Sequence, residues 1–219
     1  MRGANFRYRL DVRVKICGVT NIPDALAAVD AGADALGFMF VPASPRALKL
    51  ETAASIIREL PPFVSRVGVM VDPSPQFLED AVRKCGLSAV QLHGNESPEF
   101  CSASSGIVIK AFRVSDRESL AGIRRYVTDA WLLDSYVPDK LGGTGTRFNW
   151  DLALEVKQWG RPIILAGGLT PANVADAVRQ VQPYAVDVSS GVEGAPGKKD
   201  PIKLRDFIAA AKQAVIKPA

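Results

Sequence analysis

The chain has 219 residues, 47% of them hydrophobic and 23% charged, which is the composition of a folded globular protein. Its net charge of +4 comes from scattered basic residues, and this arrangement suits an anionic small molecule better than a nucleic acid. No apolar run reaches the roughly 18 residues of a membrane-spanning helix. The three cysteines fit neither a disulfide framework nor a zinc site, so we expect a reducing, cytoplasmic location.

Residues 1–12 lack the apolar segment of a signal peptide, and we interpret them as a poorly ordered N-terminal extension before a single domain of residues 13–219. Within that domain, short runs rich in Val, Ile, Leu and Phe predict eight strands. The predicted strands are residues 14–17, 34–40, 66–71, 89–93, 107–112, 130–135, 162–167 and 184–189.

Each predicted strand is followed by a segment with helical spacing, and several of these segments begin at proline or end at glycine. The predicted helices are residues 23–31, 52–60, 75–85, 97–104, 116–126, 150–159, 171–181 and 202–215. Eight alternating units predict parallel strands with right-handed crossovers, and hence a single (β/α)8 barrel of the TIM type. A doubly wound open sheet is the alternative, but no G-x-G-x-x-G motif follows the first strand.

The active site of such a barrel lies in the loops at the carboxyl ends of the strands, where Cys17 ends the first strand. Because side chains alternate along a strand, the polar residues of four strands are expected on one inward face. The inward residues are Lys15, Cys17, Gln91, His93, Asp134, Asp187 and Ser189. Buried polar groups need partners, and a ligand at the barrel mouth would supply them.

Glycines mark the loops after the last three predicted strands, in GGTG (142–145), AGGL (166–169) and SSGVEG (189–194). Glycine lets backbone amides approach an anion closely, and barrel enzymes commonly hold phosphate in the loops after strands seven and eight. We therefore expect a phosphorylated small molecule as ligand, with neither nucleic acid nor membrane as partner. Nothing in the sequence distinguishes a monomer from a homodimer.

A second anion site is predicted at Arg46, in the loop PASPRAL (42–48) after the second strand, because a guanidinium suits a carboxylate. Between the two anion sites, Cys17 and Asp134 form a possible proton-transfer pair. Lys15, on the same face as Cys17, is a cation that would favour the thiolate.

Seven segments together resemble the phosphoribosylanthranilate isomerases of tryptophan biosynthesis, and they span almost the whole chain in family order. The segments are KICGVT (15–20), DALGFMF with SPR (34–40, 44–46), QLHG (91–94), LLDS (132–135), GGTG (142–145), AGGL (166–169) and DVSSGVE (187–193). The resemblance implies an Amadori rearrangement of N-(5′-phosphoribosyl)anthranilate to 1-(2-carboxyphenylamino)-1-deoxyribulose 5-phosphate. It implies no metal or cofactor, because the nitrogen of the substrate serves as electron sink.

The resemblance also implies roles for individual residues. Asp134 matches the general acid, Cys17 the general base and Arg46 the group that holds the anthranilate carboxylate. The substrate would be bound by residues of several loops, with backbone amides near Gly168, Ser190 and Gly191 holding its phosphate. The predicted substrate-binding residues are Arg46, Gln91, His93, Gly145, Gly167, Gly168, Asp187, Ser189, Ser190 and Gly191.

Two other classes of protein are weighed against this interpretation. One is a sugar-phosphate aldolase that forms a Schiff base through Lys110 on the fifth strand, and the other is a non-catalytic protein that binds a phosphorylated ligand. The pairing of Cys17 with Asp134 argues against both, since neither class needs those two groups.

Overall fold

A computed structural model of the chain describes residues 12–135 and 150–214. Eight parallel strands close into a barrel in chain order, with β8 hydrogen-bonded to β1. The strands are β1 (Arg13–Cys17), β2 (Ala35–Met39), β3 (Ser65–Met70), β4 (Ala89–Leu92), β5 (Ile107–Val114), β6 (Ala130–Ser135), β7 (Ile163–Ala166) and β8 (Ala185–Val188). The predicted (β/α)8 barrel is confirmed.

The helices of the described residues lie between the strands and after the last one. They are α1 (Ile22–Asp30), α2 (Leu50–Arg58), α3 (Pro75–Cys85), α4 (Pro98–Ala103), α5 (Trp150–Lys157), α6 (Val174–Val181) and α7 (Pro201–Lys212). Polar N-caps start several of them: the side chains of Asn21, Ser74, Ser97 and Asp200 accept hydrogen bonds from backbone N–H groups of the first turn.

The helix predicted at residues 116–126 is wrong. Two short 3-10 helices, Glu118–Leu120 and Ile123–Arg125, connect β5 to β6 instead. Gly122 separates them with a φ of 84°, a left-handed conformation that an α-helix does not contain. The side chain of Asp116 also accepts a hydrogen bond from the backbone of Ser119, which fixes a local turn in place of a longer helix.

The strands bury apolar side chains on both faces. Inside the barrel, a cluster of small and branched residues that includes Ala89, Ile109 and Leu132 fills the core. A larger cluster between strands and helices includes Val14, Ile16 and Leu133. The alternation places Lys15, Cys17 and Asp134 on the inward side, as the sequence predicted.

After β8 the chain forms structure beyond the repeating unit. A 3-10 helix (Ser190–Val192) leads into a small antiparallel hairpin of β9 (Glu193–Ala195) and β10 (Lys198–Lys199). The Thr20 hydroxyl donates to the Gly197 carbonyl at 2.5 Å, and the Lys199 backbone N–H donates to Asp24 Oδ2 at 2.7 Å. The hairpin is thereby attached to the segment that follows β1, at the end of the barrel where Cys17 lies.

Candidate active site

Cys17 lies at the end of β1 with its side chain inside the barrel and 4% of the residue exposed. Its neighbour across the sheet is Gly37 on β2. A Cβ atom at Gly37 would approach Cys17 Sγ to 2.9 Å and Lys15 Nζ to 3.1 Å, both closer than side chains normally pack. Glycine at this position therefore makes the room in which the thiol and the ammonium group sit.

Lys15 and Asp187 form a buried ion pair beneath Cys17. Lys15 Nζ donates to Asp187 Oδ1 at 2.8 Å, and the two residues are paired in the register of β1 and β8. Burial lowers the pKa of Lys15, but the charges and hydrogen bonds of Asp187 and Cys17 outweigh burial and raise it above its ordinary value. Lys15 is therefore a permanent cation beside the thiol, on the face that strand alternation predicted.

The pKa of Cys17 is raised above its ordinary value, and burial is the largest cause. Lys15 lowers the pKa by its charge and by a hydrogen bond, and Lys199 lowers it further, whereas Asp187 raises it. Lys15 thus lowers the pKa of Cys17, as predicted, but burial raises that pKa by more. The raised pKa keeps the resting thiol protonated at neutral pH.

A second polar chain runs through Gln91, His93 and Asp134. His93 Nε2 lies 3.4 Å from Asp134 Oδ2, and Gln91 Nε2 lies 3.1 Å from His93 Nδ1. The two ring nitrogens of His93 therefore face different partners, Nδ1 the Gln91 amide and Nε2 the Asp134 carboxylate. Gln91 on β4 and His93 just after it are thus brought together with Asp134 on β6, and His93 faces the carboxylate.

Two polar atoms of the predicted site are buried without a hydrogen-bond partner among the described residues, Gln91 Oε1 and Ser189 Oγ. Gln91 is 1% exposed and belongs to the inward face of β4. A buried acceptor or hydroxyl without a partner costs about 1–3 kcal/mol. A polar ligand at the barrel mouth would remove that cost, as expected for a binding site.

The glycine-bearing loops after β7 and β8 are packed against each other. Gly167 and Gly168 have φ values of 82° and 63°, which favour glycine, and Asn173 Nδ2 donates to the Gly168 carbonyl at 3.0 Å. Ser190 and Gly191 begin the 3-10 helix after β8, where a Cβ atom on Gly191 would overlap the carbonyl of Leu169. The two loops predicted to hold phosphate are thus neighbours, whereas Gly145 lies outside the described residues.

This close approach predicts that Gly191→Ala destabilises the protein by about 2–4 kcal/mol, because backbone atoms cannot move aside as a flexible side chain can. Denaturant unfolding of the variant and the wild type measures the difference. Gly194→Ala is the matched control, since an added methyl group there meets its nearest neighbour at 4.0 Å. Equal stability of the two variants would contradict the proposed close packing of the loops.

Arg46 is held by a carboxylate of the protein itself. Its Nε and Nη2 atoms donate to the two oxygens of Glu193 at 2.7 Å and 2.5 Å. Hydrogen bonding to Glu193 raises the pKa of Arg46, against the lowering effect of burial. Gly18, with a φ of 74°, lies so close that a Cβ atom there would overlap Arg46 Cδ. The guanidinium is thus fixed in position beside the end of β1.

Sequence reasoning missed three residues of this site. Glu193 lies in a motif that carries the family resemblance but had no assigned role, Lys199 was not singled out, and Gly37 was interpreted only as part of a strand. Local sequence gives no signal for the contact of Glu193 with Arg46, since the two are far apart in the chain and meet through barrel closure. Gly37 has a signal of its own, because a glycine inside a strand often marks a place where another group approaches closely.

Lys110 lies on the opposite side of the sheet from the barrel interior. Its Nζ donates to Glu96 Oε2 at 2.9 Å and to the Gly94 carbonyl at 2.8 Å, and the residue is 2% exposed. Its strand neighbours Ile109 and Ala111 belong to the inner cluster. The Schiff-base alternative placed its nucleophile at Lys110, and that amine does not face the barrel mouth.

Within residues 12–135 and 150–214, no group of three or more His, Cys, Asp or Glu side chains has an arrangement that could hold a metal ion. In the same residues, no helix has the length and apolar character needed to cross a membrane.

Relatives of known sequence and structure resemble this chain along most of its length. A curated protein of Geobacter sulfurreducens, named N-(5′-phosphoribosyl)anthranilate isomerase, is 58% identical over 201 residues, covering 92% of this chain and 98% of the relative. The crystal structure of phosphoribosyl anthranilate isomerase from Thermotoga maritima has 47% identity and a TM-score of 0.86, covering 92% of this chain and 98% of its own. A third relative is a solved isomerase in complex with reduced 1-(o-carboxyphenylamino)-1-deoxyribulose 5-phosphate, with 45% identity, a TM-score of 0.82 and coverage of 92% and 98%.

The family model described as N-(5′-phosphoribosyl)anthranilate isomerase matches residues 14–210, which include every described residue of the site. The resemblance seen in the sequence motifs is therefore confirmed along the whole barrel. The chain belongs to the N-(5′-phosphoribosyl)anthranilate isomerase family.

Proposed function

We propose that this chain isomerises N-(5′-phosphoribosyl)anthranilate to 1-(2-carboxyphenylamino)-1-deoxyribulose 5-phosphate, with Cys17 as general base and Asp134 as general acid. The observation that carries the proposal is the inward placement of both groups at strand ends of a barrel belonging to this family. The test is turnover of freshly generated substrate by the wild-type protein, followed by the change in anthranilate fluorescence. Absence of turnover would reject the proposal.

The first step is opening of the ribose ring. Asp134 gives a proton to the ring oxygen as the C1′–O bond breaks, and the anthranilate nitrogen supplies the electron pair that forms a protonated Schiff base at C1′. His93, 3.4 Å from Asp134 Oδ2, faces the carboxyl group and orients it toward the substrate. Under this proposal His93 is a positioning residue in addition to lining the substrate site.

The second step is removal of the C2′ proton. The reacting form of the site holds Cys17 as thiolate and Asp134 as carboxylic acid, since the thiol proton has moved to the carboxylate. The thiolate takes the C2′ proton, and the electrons of the C–H bond form a C1′=C2′ double bond while neutralising the nitrogen cation. The resulting enolamine gains a proton at C1′ from the Cys17 thiol and loses its hydroxyl proton to the Asp134 carboxylate, which yields the ketone at C2′ and restores both groups. Lys15, paired with Asp187, supports the negative charge on sulfur while the thiolate exists.

The two ends of the substrate are proposed to bind to opposite sides of the barrel mouth. Arg46 faces the anthranilate carboxylate, while backbone amides near Gly168, Ser190 and Gly191 hold the phosphate with the help of Ser189. Support comes from the ligand named for one solved relative, which carries both a carboxyl group and a phosphate. Gln91, Gly145, Gly167 and Asp187 complete the proposed set.

The ion pair of Lys15 and Asp187 predicts opposite shifts of the pH profile. Cys17 faces Lys15 on its own strand, Asp187 on β8, Lys199 on β10 and Arg46 after β2. Lys15→Met removes a charge that lowers the pKa of Cys17. The increase of kcat/KM with pH that follows loss of the thiol proton should therefore move to higher pH. Asp187→Asn removes a charge that raises the thiol pKa, so the rise should move to lower pH.

The check is the pH dependence of kcat/KM for the wild type and both variants. Lys15→Met leaves a buried carboxylate unpaired and should also destabilise the fold by about 3–5 kcal/mol, so profiles are recorded at a temperature where every variant is folded. General damage to the site would change the rates without shifting the two profiles in opposite directions. Profiles that stay in place would exclude an electrostatic role for Lys15.

The proposal extends to the assembly of the protein and to its place in the cell. One solved structure shows monomers generated from the dimeric phosphoribosylanthranilate isomerase of Thermotoga maritima, and we propose that this chain is either a monomer or a homodimer. We also propose a cytoplasmic location, since a buried catalytic thiol has to stay reduced. Sedimentation analysis of the purified protein would identify the assembly.

A further inference from the structure

Glu193 is shared by two cations at the barrel mouth. Besides its contacts with Arg46, it accepts a hydrogen bond from Lys199 Nζ to Oε1 at 2.8 Å. Lys199 Nζ also donates to the Ser189 carbonyl at 3.1 Å, and its side chain is fully buried. One carboxylate therefore lies between an arginine and a lysine that come from different ends of the chain.

The cluster of Arg46, Glu193 and Lys199 carries a net charge of +1. Burial raises the pKa of Glu193, but hydrogen bonds and charges from Arg46 and Lys199 outweigh burial and lower it, so the group is a carboxylate at neutral pH. Burial lowers the pKa of Lys199 below its ordinary value, and the hydrogen bond and charge of Glu193 oppose part of that change. Without Lys199, the remaining pair would have no net charge to attract an anion.

The lysine is held in place by its backbone as well as by its side chain. Its N–H donates to Asp24 at the start of α1, and the neighbouring Gly197 carbonyl accepts from Thr20. Lys203 Nζ donates to the carbonyl of Glu193 at 2.8 Å, which fixes the other strand of the hairpin. The hairpin after β8 thus delivers a buried positive charge to the side of Arg46 at a defined position.

We propose that Lys199, acting through Glu193, determines the preference of the site for a carboxylated aromatic substrate. Glu193 orients the guanidinium of Arg46 by a two-point contact, and Lys199 compensates the charge of Glu193 so that Arg46 attracts the substrate carboxylate. Lys199 is a positioning residue, because its own hydrogen bonds go to protein atoms. The inference rests on the proposed function, which assigns the substrate carboxylate to Arg46.

The experiment compares two substrates in the same assay. One is phosphoribosylanthranilate, and the other is phosphoribosylaniline, which has the same phosphoribosyl group and aromatic amine but no carboxylate. In Lys199→Met, KM for the carboxylated substrate should rise roughly tenfold, as expected for loss of one buried charge near the carboxylate. The kcat/KM for phosphoribosylaniline should fall less, and only through the loss of the Lys199 charge that lowers the pKa of Cys17.

Two further variants keep the test decisive. Lys199→Gln retains a hydrogen-bond donor toward Glu193 without the charge, so it should show the same selective loss even where the methionine variant folds poorly. Lys198→Met, on the same strand with its residue exposed, is the matched control and should leave both substrates unaffected.

The outcomes separate the inference from the function on which it rests. Selective loss of kcat/KM for the carboxylated substrate supports the inference. If the Lys199 variants lost kcat/KM equally for both substrates, or lost none, the role of Lys199 would be overturned. The proposed function would still be supported by the activity of the wild type. A wild type that converts neither substrate would overturn the proposed function and this inference together.

Discussion

Replacing Cys17 with serine should lower turnover of phosphoribosylanthranilate by a factor of about 10²–10⁴, the usual contribution of a general base. A hydroxyl group has a much higher pKa than a thiol, and the surroundings that already raise the pKa of Cys17 by burial would disfavour an alkoxide still more. Serine is close to cysteine in size, so the fold and the affinity for ligand should be retained. The measurements are kcat by fluorescence and the affinity for the reduced product analogue.

The matched control is Cys85→Ser. Cys85 is buried like Cys17, but it lies on α3, where its Sγ donates to the Leu50 carbonyl at 3.3 Å. A serine hydroxyl can make the same hydrogen bond, so this variant should turn over at the wild-type rate. If Cys17→Ser kept wild-type turnover, the thiol would be a packing residue and another base would have to be found.

Replacing Asp134 with asparagine should lower turnover by a similar factor of about 10²–10⁴, because an amide cannot give a proton to the ring oxygen. Asparagine keeps the shape of the side chain and, having both a donor and an acceptor, can still hydrogen-bond to His93, 3.4 Å away in the wild type. The loss should therefore appear in kcat, with little change in the affinity for the reduced product analogue.

Asp176→Asn is the control for the effect of removing a carboxylate. Asp176 lies on α6 with its side chain exposed and paired with Arg179, so its loss should leave the rate unchanged. Wild-type kcat in Asp134→Asn would show that ring opening needs no acid at this position, and it would leave His93 as the remaining candidate.

The barrel could be predicted from sequence because each unit carries its own local signals. Apolar runs predicted the strands, and proline and glycine predicted helix ends, as at Pro75 and Gly86 of α3. The connection between β5 and β6 could not be predicted in the same way. Its composition suits a helix, and the left-handed conformation of Gly122 and the turn at Asp116 decide the structure there.

The parts of the site that depend on a single strand could be predicted from the sequence. Alternation along β1 put Lys15 and Cys17 on the same inward face, and this followed from the strand alone. Contacts between distant parts of the chain were harder to predict. Asp187 meets Lys15, and Glu193 meets Arg46, only because the barrel closes. Such contacts depend on register and loop packing, which short sequence patterns do not contain.

The assignment of successive steps to Asp134 and Cys17 is tested most directly with substrate that carries deuterium at C2′. Single-turnover rates are measured with the labelled and unlabelled substrate for the wild type, Cys17→Ser and Asp134→Asn. In Cys17→Ser, removal of the C2′ proton should limit the rate, so a full primary isotope effect is expected. In Asp134→Asn, ring opening should limit the rate, and the isotope effect should fall toward one. The reverse pattern, or the same isotope effect in both variants, would contradict the assignment of the base to Cys17 and the acid to Asp134.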